Sequence, residues 1–118
     1  MSSKALLALI VSVLTAGIAV GELDMGHMEP ESVTATCAFS SASVSWAPVS
    51  DAHRSGYDVY RMAASETTYT KANFGLVTTT QYTVSGLSTG IAYDFRVVAV
   101  YGDGHVSVMS AAARCITG

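Results

Sequence analysis

The chain has 118 residues, of which 50% are hydrophobic and 13% are charged, and its formal net charge is −3 at pH 7. This length fits one domain with a single modest hydrophobic core. The acidic balance and the lack of any Lys/Arg cluster in the sequence exclude a nucleic-acid partner, because grouped basic side chains are needed to neutralise phosphates.

The first predicted element is a hydrophobic segment at residues 1–21. It has one cation, Lys4, then an uncharged apolar run from Ala5 to Val20, and small residues at its end. This order is typical of a secretory signal peptide, which predicts that the chain is exported. A retained hydrophobic anchor is the alternative, although the 16 residues of the apolar run are short against the ~20 needed to span a bilayer. Contact with a membrane is expected only if the segment is retained.

Residues 22–31 read ELDMGHMEPE and are predicted to form an acidic linker, because the stretch is polar, aperiodic and contains a proline. Within it, Met25–Met28 places thioether and imidazole groups close together, and these donors suit copper(I). Chance or a cloning remnant explains the same four residues, and the sequence therefore assigns no metal and no cofactor to the chain.

Residues 32–118 form the predicted folded domain, in which short runs of alternating apolar and polar residues are separated by Ser, Gly, Pro and Asp. The runs recur at roughly the 8–12-residue spacing of an all-β sandwich, and no helical period persists after the N-terminal segment. The seven predicted strands are VTATCAF, ASVSWAPV, GYDVYRM, TYTKANFGLVTT, QYTVSGL, AYDFRVVAVY and HVSVMSAAARC.

The two cysteines, Cys37 and Cys115, fall on the first and last of these strands. An exported chain with two cysteines usually pairs them, because its compartment is oxidising. We therefore predict a disulfide between them, with two unpaired buried thiols as the alternative.

Two stretches, VSWAPVSDAHRSGYDVYR and YTVSGLSTGIAYDFRVVAV, strongly resemble the fibronectin type III domain, and the resemblance covers roughly residues 31–117. It implies a seven-stranded immunoglobulin-like sandwich that follows the hydrophobic N-terminal segment, and a non-enzymatic binding or adhesion module. In that family the tryptophan fills the space between the sheets, and the leucine and tyrosine fix a turn. The residues implied to be structural are Trp46, Tyr57, Leu87 and Tyr93.

Alternation on the third and sixth strands assigns one phase to the core and the other to the outside. The outward phase of these neighbouring strands contains an apolar set, Tyr60, Met62, Val98 and Val100. Adjacent apolar residues form one patch instead of scattered single residues, which is typical of an interface. We therefore predict that this partner face binds a protein or a second copy of the chain, with an ordinary β-surface as the alternative and a glycan as a further possible ligand.

The sequence lacks the motifs of common enzymes, namely GxSxG, HExxH, CxxC and a Gly-rich phosphate loop, and predicts no enzymatic activity. In the implied fold, the loops after the second and sixth strands lie at the same end. Four of their residues could converge on a divalent cation or a polar ligand, with ordinary solvated loops as the alternative. These residues are Asp51, His53, Asp103 and His105.

Two functional hypotheses follow from these patterns. The first is a secreted or cell-surface module that presents a β-sandwich surface to a protein or glycan. The second is a structural subunit of a cell-surface filament that retains the N-terminal hydrophobic helix. The fate of residues 1–21 distinguishes them, because only a filament subunit needs this segment in the mature chain.

Overall fold

The computed structural model describes residues 28–118. The predicted signal peptide or anchor, and most of the predicted linker with its MGHM stretch up to His27, lie outside the described residues. Residues 28–118 contain no helix whose length and hydropathy would let it cross a bilayer. The strands in this part of the chain are β1 (Glu31–Cys37), β2 (Ala42–Ala47), β3 (Arg54–Ala63), β4 (Thr70–Lys71), β5 (Gln81–Val84), β6 (Ala92–Tyr101) and β7 (Ala113–Ile116).

The strands form two antiparallel sheets that pack face to face. One sheet has three strands in the order β1-β2-β5, and the other has four in the order β4-β3-β6-β7. The longest ladder joins β3 and β6, and its register runs from Gly56 opposite Val100 to Ala63 opposite Tyr93. The predicted all-β, seven-stranded sandwich is therefore confirmed.

Several strands are shorter than predicted, and the fourth and seventh differ most. Within the predicted strand TYTKANFGLVTT, only β4 forms, because the side chain of Asn73 turns inward directly after β4. The Oδ1 of Asn73 accepts a hydrogen bond from the N–H of Val59, and its Nδ2 donates one to Asp58, both at 2.8 Å. The run HVSVMSAAARC keeps only β7, because the hydroxyls of Ser107 and Ser110 accept hydrogen bonds from β6 that strand carbonyls would otherwise have taken.

The core lies between the two sheets, and it contains all four residues that the resemblance implied to be structural. Trp46 packs edge-on against Tyr57, with ring centroids 5.2 Å apart. The hydroxyl of Tyr93 accepts a hydrogen bond from the N–H of Ser88 at 3.0 Å, which pins the turn that leads into β6. Gly90 in this turn has a φ of 72°, a conformation that favours glycine.

Cys37 and Cys115 form a disulfide with Cα atoms 5.6 Å apart, and the predicted pairing is confirmed. They lie on β1 and β7, which are edge strands of opposite sheets, so the bond closes one side of the sandwich. It joins positions that are 78 residues apart. In the loop-closure account, such a constraint on the unfolded chain contributes up to about 4 kcal/mol of stability.

The first and last described residues lie at opposite ends of the sandwich. At the upper end, formed by segments 47–54 and 101–106, the carbonyl of Met28 accepts a hydrogen bond from the hydroxyl of Tyr101 at 2.8 Å. At the lower end, formed by segments 38–41 and 85–91, the N–H of Gly118 donates to the carbonyl of Ala38 at 3.1 Å. β1 therefore runs from the upper end to the lower end.

Candidate interaction surface

The outward side of β3 and β6 holds the predicted partner face. Tyr60, Met62 and Val100 are half-buried there. Val98 is only 4% exposed, although alternation places it on the outward side. The expectation that Val98 is open to a partner is therefore wrong.

Two side chains next to Val98 on this face are fixed by contacts within the chain. Arg96, two residues earlier on β6, donates from Nε to the hydroxyl of Tyr69 at 2.9 Å and from Nη1 to the carbonyl of Ser110 at 3.3 Å. Asp58 is paired with Val98 in the ladder, and its side chain is itself only 16% exposed. Val98 therefore lies beside two side chains that are held in place across the sheet.

The lower half of this outward face carries charges that are paired within the chain. Arg114 donates two hydrogen bonds to the carboxylate of Asp94, at 2.8 and 3.0 Å. These bonds are the main reason why the pKa of Asp94 is lowered, since they stabilise its ionised form. The guanidinium carbon of Arg96 also lies 5.3 Å from the centre of the Tyr69 ring, a cation–π contact.

The upper half of the same face is apolar and open. Leu76 lies over Gly56, where an added Cβ would come within 2.6 Å of the Leu76 Cγ. Gly56 is paired with Val100, and Val100 forms a β-bridge with Val106 on the segment that follows β6. Val108 follows two residues later on that segment. We call Leu76, Val100, Val106 and Val108 the apolar strip.

The apolar strip is accessible to a partner along most of its length. Leu76, Val106 and Val108 are 45%, 47% and 40% exposed, and Phe74, close to Leu76 in sequence, is fully exposed. Sequence reasoning identified only Val100 of this group as outward. The alternation of Val106 and Val108 with Ser107 was an available signal, whereas no local pattern brings Leu76 over Gly56.

The predicted loop cluster lies at the upper end, where the two loops do meet. The N–H of Gly102 donates to the carbonyl of His53 at 2.9 Å. Each histidine, however, contacts the aspartate two residues before it: His53 N–H donates to Asp51 at 2.9 Å, and His105 Nδ1 lies 2.9 Å from Asp103 Oδ2. No group of three or more His, Cys, Asp or Glu residues within 28–118 could hold a metal ion. The four residues therefore do not form one coordination shell.

A shallow cavity of about 560 Å³ lies between these loops, lined by Asp51, Ala52, His53, Arg54, Ser55, Gly102 and Asp103. His105 is not among its lining residues. The guanidinium carbon of Arg54, one of the lining residues, lies 5.2 Å from the centre of the buried Tyr57 ring, a cation–π contact.

A β-sandwich of two antiparallel sheets, with a tryptophan between the sheets and a turn pinned by a tyrosine, defines the fibronectin-like class of all-β domains. The family model for the fibronectin type III domain matches residues 28–113, and the chain belongs to this family. Domains of this family are typically non-catalytic modules, and they are common in extracellular and binding proteins.

Two relatives carry a segment similar to this chain. One is named alpha-amylase, from Niallia circulans, and is 38% identical over 79 residues, or 66% of this chain. The other is exoglucanase B from Cellulomonas fimi, which is 40% identical over 77 residues, or 64% of this chain. The match spans 6% of the length of each relative.

Among solved structures, titin module A71 from human cardiac muscle is similar in fold. Its TM-score is 0.66 at 27% identity, and the match covers 75% of this chain and 88% of the titin module. The likeness extends over most of both chains, so the two share a whole domain and not an isolated hairpin.

Proposed function

We propose that this chain is an exported, non-catalytic module that docks through its apolar strip onto a protein domain of a polysaccharide-degrading enzyme. The observation that carries the proposal is the apolar strip, which runs from Leu76 across Val100 to Val106. It is bordered below by charges that are already paired within the chain. Apolar area with a polar border is typical of protein interfaces.

The relatives support a non-catalytic role beside an enzyme. One is named an amylase and the other an exoglucanase, and the similar segment takes up 6% of each. Domains of this family are typically non-catalytic modules, and a small segment shared by two enzymes with different names fits that role. Attachment to a neighbouring protein domain is a role that both enzymes could use.

Two features support export. The disulfide between Cys37 and Cys115 is of the kind that persists in oxidising compartments. Residues 1–21 have the charged start, apolar middle and small-residue end of a signal peptide.

The chemistry of the apolar strip favours a protein over a glycan. Its members are aliphatic and offer no side-chain hydrogen-bond donors or acceptors. Sugar hydroxyls buried against them would lose their hydrogen bonds to water without replacement, which is unfavourable. The outward face of the three-stranded sheet differs from the apolar strip, because it presents uncharged polar side chains that can form hydrogen bonds. These side chains belong to Thr34, Thr36, Ser43, Ser45, Gln81 and Thr83.

Site-specific photo-crosslinking in the exported protein fraction of the source organism tests the proposal. We expect a photoreactive side chain at Val106 to give an adduct with a protein that contains a carbohydrate-active domain. Replacing Val108 with Asp in the same chain should reduce this adduct at least tenfold, because the charge must be desolvated in the interface.

The matched control is a photoreactive side chain at Thr83, which is exposed on the opposite sheet. Equal protein adducts at Thr83 and Val106 would contradict the proposal. Two results together would indicate a glycan-binding module instead. The Val108→Asp variant would still co-sediment with insoluble starch or cellulose, and the photoreactive side chain at Val106 would give no protein adduct.

A further inference from the structure

The charges of the chain are distributed unevenly between the two sheets. Two stretches, residues 32–50 and 72–93, contain no Asp, Glu, Lys, Arg or His. They include β2, β5 and all of β1 except Glu31, whereas the four-stranded sheet carries the paired charges described above. Roughly a quarter of the residues in a typical domain are charged, and these residues are mostly exposed. A sheet face without charge is therefore unusual for a surface that contacts only water.

The outward side chains of the three-stranded sheet form two rows, and each row has one residue from each strand. The first row consists of Thr34, Ser45 and Gln81, the second consists of Thr36, Ser43 and Thr83, and we call these six residues the polar grid. The Nε2 of Gln81 donates to the hydroxyl oxygen of Ser43 at 3.0 Å, which links the two rows. Neighbouring strands lie about 4.8 Å apart, and alternate residues of one strand lie about 6.7 Å apart. The polar grid is therefore regular in both directions.

The chemistry of the polar grid fits an uncharged partner that is rich in hydroxyl groups. Each Ser or Thr hydroxyl can both donate and accept a hydrogen bond, and the amide of Gln81 offers both groups. A charged partner would lose water here without meeting an opposite charge, which is unfavourable. A protein partner would bring an interface core of apolar and aromatic side chains, and the grid offers no such side chain to pack against it. The hydroxyls of a neutral polysaccharide, in contrast, can replace water at each position of the grid.

An exposed aromatic ring lies at the lower end of the same sheet. Phe39 is 73% exposed in the turn that joins β1 to β2. This turn begins after the pair Cys37 and Ala42, which directly follows the second row of the polar grid. The N–H of Ala38 donates to the carbonyl of Ser41 at 2.8 Å and closes the turn. The ring of Phe39 can pack against the C–H groups of a sugar, a contact that hydroxyl groups alone do not supply.

We propose that the polar grid and Phe39 bind a neutral polysaccharide. The apolar strip lies on the outward side of the other sheet, so the two surfaces face in opposite directions. With both surfaces occupied, the chain would hold an enzyme domain against a polymer. Each hydrogen bond to a sugar replaces one to water and gains little. We therefore expect weak binding that is strongest on an insoluble polymer, where parallel chains offer many contacts at once. This site goes beyond the docking function and does not require it.

Depletion of the natural chain from solution by insoluble polymers tests the proposal. The probes are cellulose, granular starch, mannan and chitin, each in its neutral form and after partial oxidation of its surface to carboxylates. About 0.3 M salt screens the net negative charge of the chain, so that long-range repulsion does not decide the result. We expect the chain to bind at least one neutral polymer and to bind the carboxylated form of that polymer at least about fivefold more weakly, because the grid has no cation to pair with a carboxylate.

Two variants locate the binding surface. Thr36→Ala/Thr83→Ala removes two exposed hydroxyls of the grid and should weaken binding at least about fivefold, and Phe39→Ala should weaken it at least about threefold. The matched control is Val106→Asp, which changes an exposed residue on the other sheet and should bind as the natural chain does. Thermal melting checks that each variant is folded. If the double variant does not fold, Thr34→Lys, which places one charge on the exposed first row, should weaken binding to the neutral polymer by a similar factor.

Three results would overturn the proposal. The first is that none of the four neutral polymers depletes the chain, and the second is that the grid variants and Phe39→Ala bind as tightly as the natural chain. The third is an equal loss of binding in Val106→Asp, because it would place the polymer on the apolar strip. The docking function is tested separately, since the protein adduct at Val106 needs no polymer and depletion by a polymer needs no enzyme.

Discussion

Arg96 and Tyr69 hold each other across the outward face of the four-stranded sheet: the Nε of Arg96 donates to the Tyr69 hydroxyl at 2.9 Å, and the guanidinium lies over the ring. We predict that Tyr69→Phe lowers the free energy of unfolding by about 0.5–1.5 kcal/mol, since it removes this hydrogen bond but keeps the ring. Urea denaturation measures the change. Tyr60→Phe on the adjacent strand is the matched control, and an equal loss in both variants would argue against a special role for the Arg96–Tyr69 pair.

Val98 and Val106 give the clearest contrast between burial and exposure on this face. We predict that Val98→Asp lowers the free energy of unfolding by at least about 3 kcal/mol, because it places a carboxylate at a buried position directly opposite Asp58. Val106→Asp should stay within about 0.5 kcal/mol of the natural chain, since its side chain is 47% exposed. Thermal melting compares the two variants directly. Similar melting temperatures would show that Val98 is as accessible as its alternation pattern suggests.

The inward faces of the strands could be predicted from sequence, and the accessibility of the outward face could not. Alternation correctly places Trp46, Tyr57 and Tyr93 in the core, because each strand has one face against the opposite sheet. In the sequence, Val98 falls in the outward phase of the alternation along β6, as a solvent-exposed residue would. It is nevertheless only 4% exposed, and its neighbour Arg96 is bonded to Tyr69 and Ser110, which are distant in sequence.

Contacts that a local sequence pattern does not reveal also explain the errors in the predicted site residues. Leu76 joins the apolar strip only because Gly56 lacks a side chain under it, and the two residues are distant in sequence. His53 and His105 were correctly placed on loops that meet at one end. Their partners could not be foreseen, because each short loop lets a histidine fold back onto its own aspartate.

Asn73 ends β4 by turning its amide into the edge of β3. Its side chain accepts from Val59 and donates to both Asp58 and the carbonyl of Gly75. We predict that Asn73→Ala lowers the free energy of unfolding by about 2–4 kcal/mol, because it leaves a buried backbone N–H unpaired and frees a carboxylate. Chemical denaturation measures the loss. Thr79→Ala, which removes an exposed side-chain hydrogen bond to Gln81, should change stability by less than about 1 kcal/mol.

The Asp94–Arg114 pair predicts a specific dependence of stability on pH. The hydrogen bonds from Arg114 keep the pKa of Asp94 in the folded chain below its value in the unfolded chain. The pair therefore contributes fully above the unfolded value of about 3.9, and its contribution falls as the pH drops through the lower, folded value. Asp94→Asn removes this contribution.

The measurement is urea denaturation of the natural chain and Asp94→Asn across the acidic range. The stability difference between them should be constant from about pH 7 to 5 and should shrink below about pH 4. Because Arg114 is exposed, about 1 M salt should also reduce the difference at neutral pH. A difference that is independent of pH would mean that Asp94 stabilises the fold through packing alone.

The fate of residues 1–21 is tested by the intact mass of the protein from its native source. We predict a mature chain that begins near Glu22, because Ala19 and Gly21 place small residues where a signal peptidase cleaves. The non-reduced mass should be about 2 Da below that of the reduced chain, as one disulfide requires the loss of two hydrogens. A mass that includes Ala5 to Val20 would favour the filament subunit instead.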